Sequence, residues 1–225
     1  MKMIRSVSAS LVAFVLILSF ASCSNNDPAP VPLTAVTFKN LVADPPSGGY
    51  NPTNGQPIGV TNKFTFFSFS TGALVANADS LTTKWDIGFR GTTIIVNSGS
   101  SANGIGNAKG NTKVQVLKDI FDNITTAPDA GYLSDNQADN KKPVATSYAI
   151  PLGSGSGWYN YDRTTNVVSP IAGRVLVFQM TNGNYAKMEI ISYYQDSPIA
   201  PIATTKDRYY TFRYIYQPNG SKSFK

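Results

Sequence analysis

Histidine is absent from this 225-residue chain, so whatever chemistry it does must come from one cysteine, a few methionines, twelve tyrosines and scattered aspartates. Cys23 has the most telling surroundings. Lys2 and Arg5 give a short basic start, Leu11 to Phe20 is an apolar run, and Ala21 and Ser22 lead straight into the thiol. Basic, apolar, small, cysteine is the order of a bacterial lipoprotein signal, with Phe20 in the slot that leucine usually fills. The apolar run is too short to span a bilayer. Residues 1–22 are therefore expected to be removed, leaving Cys23 as an acylated N-terminus that ties the protein to a membrane.

Met180 and Met188 are the thioethers left after the leader, and a thioether can ligate haem iron. Met180 shares a strand face with Leu176 and Phe178, and Met188 with Ala186 and Ile190, so alternation also points both into a core. Their place on the two arms of one hairpin leaves open that they face each other. Seven tyrosines lie at or after Tyr185, in strand-like segments where the ring pairs across a sheet. Tyr132, Tyr159 and Tyr161 stand in or beside turn-rich segments, with Trp158 alongside. Such loop aromatics either fold back on the sheet or clasp a flat ligand, and a phenolate can bind ferric iron.

The absences exclude more than the residues present include. Neither a Ser-His-Asp nor a Cys-His machine can be assembled, nor a histidine zinc site. With one cysteine there is no intrachain disulfide. Glu189 is the only glutamate, and the aspartates follow no spacing that suggests an acid–base pair. The Gly104, Gly106, Gly110 spacing misses the dinucleotide fingerprint by one residue and lacks the Lys-Ser/Thr of a phosphate loop. The net charge of +6 falls to +4 without Lys2 and Arg5, and the basic residues are dispersed, which leaves no footprint for nucleic acid. A binding protein is favoured over an enzyme.

The elements that must hold these residues are strands. Residues 23–35 are polar and proline-rich and read as a tether; the folded part, residues 36–225, begins near Val36. Residues 44–59 carry four prolines and four glycines and form loop. KFTFFSFS (63–70) places Phe64 and Phe66 on one face and Phe67 and Phe69 on the other, so both faces are expected to be covered. KWDIGFR (84–90) alternates Trp85, Ile87 and Phe89 with polar or small residues. Residues 114–124 suit a strand followed by a short helical turn. RVLVFQM (174–180) and YAKMEIISYY (185–194) flank an Asn-Gly turn, the clearest hairpin in the chain. RYYTFRYIYQ (208–217) is the last strand. The fold class is all-β: a mainly antiparallel single domain with few or no long helices.

KWDIGFR, Asn97–Gly99, GWYNY (157–161), residues 174–194 and residues 209–221 together resemble the HmuY-like family of Bacteroidetes lipoproteins. The resemblance implies an all-β domain, lipid anchoring in the outer membrane on its periplasmic or cell-surface face, and capture of haem or a porphyrin for delivery to a TonB-dependent receptor. In the founding member two histidines ligate the haem iron, and no position here can take that role. Relatives that use methionines keep Met180 and Met188 in view as iron ligands, with Trp158, Tyr159, Tyr161 and Tyr132 as ring contacts. The alternative is an accessory lipoprotein of an outer-membrane uptake system that binds another ligand or a protein partner.

Overall fold

The structure, a computed structural model, describes residues 32–98, 109–135 and 148–225. Cys23, most of the tether, Gly104 and Gly106 lie outside the described residues. Residues 32–225 form one compact unit, and no helix among the described residues is long and apolar enough to cross a membrane.

Among the described residues eleven strands follow in chain order: β1 (Val36–Val42), β2 (Thr65–Ser68), β3 (Ala73–Val75), β4 (Ile87–Arg90), β5 (Thr93–Val96), β6 (Lys113–Lys118), β7 (Tyr159–Asp162), β8 (Val167–Pro170), β9 (Arg174–Gln179), β10 (Tyr185–Tyr194) and β11 (Asp207–Gln217). The only helical pieces among the described residues are three-residue 3-10 turns, at Asn77–Asp79 and Phe121–Asn123. The turn expected after β6 is the second of these. A five-stranded sheet runs β1-β11-β10-β9-β6, a four-stranded sheet runs β3-β2-β4-β5, and β7 and β8 form a separate hairpin. All strand pairs among the described residues are antiparallel.

The two sheets close on each other through aromatic rings. Phe67 meets Phe212 at 5.3 Å, Phe69 meets Phe178 at 5.0 Å and Phe89 meets Tyr210 at 4.9 Å between ring centroids. The opposite face of β2 carries Phe66, which with Phe64 just before the strand packs with Trp85 and Ile95. Both faces of KFTFFSFS are thus covered, which is why that segment reads as almost continuously apolar. The outer face of the large sheet is covered as well: Val175, Val177 and Ile215 lie under Phe121, Ile124 and Phe224. Lys187 is buried there, its ammonium donating to the carbonyls of Phe121 (2.6 Å) and Ile124 (2.8 Å).

KWDIGFR departs from the expected alternation. Ile87 and Phe89 enter the main core, whereas Trp85 joins the outer cluster with Phe66. The break falls at Asp86, which is itself buried and accepts the Phe69 N–H at 2.8 Å, so regular pairing starts only at Ile87.

Candidate functional site

A cavity of about 790 Å³ opens beside the large sheet, within the roughly 300–1,000 Å³ range of small-molecule sites. Several pieces of chain build it, Thr92 and Ser154 among them. The β7–β8 hairpin contributes Tyr159, Tyr161 and Val168, and the end of β10 contributes Tyr193 and Tyr194. The start of β11 supplies Asp207 and Arg208, and the proline- and glycine-rich loop supplies Tyr50.

The hairpin is short and depends on its base for position. Trp158 is 2% exposed and donates its indole N–H to the Thr92 carbonyl at 2.9 Å. Its ring lies 5.1 Å from Tyr210, 5.7 Å from Tyr193 and 4.9 Å from Tyr159. Gly157 before it has no room for a side chain, since a Cβ would stand 2.1 Å from the Pro151 carbonyl oxygen. Farther out, the Val168 N–H donates to the Tyr194 hydroxyl at 2.8 Å, and the Tyr161 hydroxyl donates to the Asn166 side chain at 2.6 Å.

The sheet side of the cavity depends on irregular pairing. The β10–β11 register shifts between Ile190 and Ser192 and again between Ser192 and Tyr194. Such bulges let adjacent residues leave strict alternation, and Tyr193 and Tyr194 are both buried. Arg208 has φ +63°, a conformation uncommon for a bulky residue and costing roughly 1–3 kcal/mol. Its Nη1 donates to the Asp44 carbonyl at 2.8 Å, while its buried Nε has no hydrogen-bond partner. The Tyr50 hydroxyl donates to the Asp207 carboxylate and so pins the loop to the sheet.

Burial sets the protonation of this cluster. It pushes the Tyr193 phenol well above its usual range, with the Asp207 charge adding to the effect. Tyr194 is raised by burial against the opposing Val168 N–H, and Tyr50 by burial and then by its bond to Asp207. These three are neutral phenols rather than phenolates. Burial also raises the Asp207 carboxyl, more than the Tyr50 bond and the Arg208 charge lower it. Tyr159 and Tyr161 also line the cavity, the latter 39% exposed.

The residues singled out from sequence therefore divide. Tyr159 and Tyr161 line the cavity. Trp158 lies beneath it as the anchor of the hairpin rather than as an open ring face. Tyr132 belongs elsewhere: Leu133 bridges to Val114, which turns Tyr132 into the outer-face cluster, 6.5 Å from Tyr185. Met180 and Met188 are 3% and 0% exposed in the main core. The register corrects the idea that they face each other, because Met188 pairs with Leu176 and the Met180 N–H bonds to Asn184. Neither thioether reaches the cavity wall.

Sequence reasoning missed Tyr50, Arg163, Asp207 and Arg208, and took Tyr193 and Tyr194 for ordinary sheet residues. The adjacent Tyr193-Tyr194 pair was the available signal, since two large rings in succession cannot both face one side of a regular strand. Nothing local distinguishes Asp207 and Arg208.

A second recess of about 620 Å³ lies at the edge of the four-stranded sheet and includes Ser68, Ser70, Asp79 and Asp86. Among the described residues, no three acidic or thiol side chains gather as a metal site.

An antiparallel two-sheet core with an aromatic, cation-bearing cavity at its side defines the class of protein. Residues 60–214 match the HmuY protein family, and the chain belongs to that family. No curated protein matches it. Similar solved structures include apo PinO of Porphyromonas gingivitis, at 15% identity over 82% of this chain and 98% of that chain, TM-score 0.48. A protein of Bacteroides fragilis NCTC 9343 proposed to be a lipoprotein is 16% identical over 82% and 92%, TM-score 0.46. A proposed HmuY-like heme binding protein of Bacteroides vulgatus ATCC 8482 is 16% identical over 70% and 87%, TM-score 0.43.

Proposed function

We propose that this protein is an outer-membrane lipoprotein, anchored through Cys23, that binds haem or a porphyrin for uptake and does no catalysis. The observation that carries the proposal is the tyrosine-walled cavity, built by residues that lie largely within the family match. Aromatic faces suit a flat apolar ring, and hydroxyls and guanidinium groups on the same wall suit its polar edge. The family resemblance supports delivery to a TonB-dependent receptor and the outer-membrane location as parts of this reading.

Ligation of haem iron falls to tyrosine in this account. Met180 and Met188 are enclosed in the core, and reaching them would require separating the two sheets. Tyr159 and Tyr161 need no such opening. A phenolate oxygen favours ferric over ferrous iron, so the protein should hold oxidised haem better. Tyr159→Phe and Tyr161→Phe, separately and together, test this by visible spectroscopy of the ferric complex. The expected outcome is loss of the phenolate charge-transfer band in one single variant and in the double variant. An unchanged spectrum in all three would remove both tyrosines as ligands.

A further inference from the structure

Arg208 is held at cost and left incompletely satisfied. Its backbone sits at φ +63°, and its Nε is buried with no partner while Nη1 is spent on the Asp44 carbonyl. Buried polar groups are normally bonded, and one left without a partner calls for an explanation, of which an acceptor supplied by a ligand is one. No carboxylate among the described residues lies within ion-pair distance of it. The neighbouring Asp207 accepts the Tyr50 hydroxyl, which also lies within hydrogen-bonding reach of the Arg208 side chain. Gly91, at φ +53°, approaches from the other side, where even a Cβ would stand 3.7 Å from the guanidinium carbon. Arg163, on the exposed turn of the β7–β8 hairpin, brings a second guanidinium to the same cavity, again without an ion-pair partner among the described residues. Among the residues that line the cavity two cations thus stand against one carboxylate, Asp207, while the charge of Asp44, outside the lining, also acts on Arg208.

We infer that Arg208 is the anchor for a carboxylate on the bound ligand, assisted by Arg163, so that the cavity selects planar rings bearing acidic side chains over neutral ones. This rests on the proposed function of the cavity and names the feature of the ligand that the site reads. A guanidinium is suited to the task, since its fork meets both oxygens of a carboxylate and it stays charged at any relevant pH. Fixing the acid edge also fixes which way the ring enters, with its apolar body against Tyr159 and Tyr161.

The test compares metal-free protoporphyrin IX with its dimethyl ester, following quenching of the emission of Trp158 and Trp85 in the purified protein. The acid should bind at least about tenfold more tightly than the ester, as a charge-assisted hydrogen bond would give. Arg208→Gln should close most of that gap and Arg208→Lys should restore part of it. Arg163→Gln, a change on an exposed turn that leaves the fold intact, should narrow the gap less. Equal binding of acid and ester overturns the anchor while leaving the cavity's function standing. A gap unchanged by Arg208→Gln overturns the assignment to Arg208. Binding of neither ring overturns the function of the cavity and the anchor with it.

Discussion

At the residue scale, Asp86 is an unusual carboxyl outside the cavity. Burial raises it to about 6, against the opposing pull of the Phe69 N–H and the Ser68 hydroxyl. The folded state therefore binds more protons than the unfolded chain between about pH 4 and 6. Stability should fall as pH rises through that window, by on the order of 2–3 kcal/mol in total. Asp86→Asn keeps an acceptor for the Phe69 N–H and removes the titration. The variant should be the more stable protein above pH 6 and lose the decline seen in the parent, as measured by urea midpoints from pH 4 to 7. A parent whose midpoint is flat over this range would show that Asp86 ionises without cost. The same residue marks the limit of what the KWDIGFR segment discloses. Alternation places Ile87 and Phe89 in the core correctly, but a buried aspartate is invisible to periodicity, and Trp85 goes to the other side because of it.

At the element scale, the β7–β8 hairpin links fold and function, and Trp158 links the hairpin to the sheets. Trp158→Phe retains a ring against Tyr210 and Tyr193 but leaves the Thr92 carbonyl without its indole donor. The loss should be about 1–3 kcal/mol. Hydrogen exchange should rise along residues 159–170 more than in β9–β11, and a uniform rise would show that the tryptophan serves the whole core instead. The large hairpin was plain in the sequence, because the Asn-Gly turn and the alternation on both arms agree with each other. The β7–β8 hairpin was visible only as a cluster of aromatics after glycines, since its four-residue strands are too short for a period to register. The cavity was less visible still. It joins residues 50, 159–168, 193–194 and 207–208 across antiparallel pairing and double bulges, and no local pattern encodes such a junction.

At the scale of the whole molecule, covered sheet faces and a cavity beside them suit a rigid container. Phe66 and Trp85 cover the outer face of the small sheet, and Phe121 and Phe224 that of the large one. Such packing can hold a site steady without disulfides or metal. The all-β class and the family were both legible from sequence, and the family match over residues 60–214 bears the second out. The lipid anchor proposed at Cys23 would belong to the chain's address rather than to its chemistry. The central claim is that a histidine-free cavity of this family still takes haem, through tyrosine. The measurement that meets it most directly is a visible titration of the purified protein with haem, under oxidising and then reducing conditions. The account predicts a saturable Soret band at one equivalent for ferric haem and weaker binding once the iron is reduced. A flat titration in both states would contradict it, and would leave an accessory lipoprotein that keeps the fold without the haem.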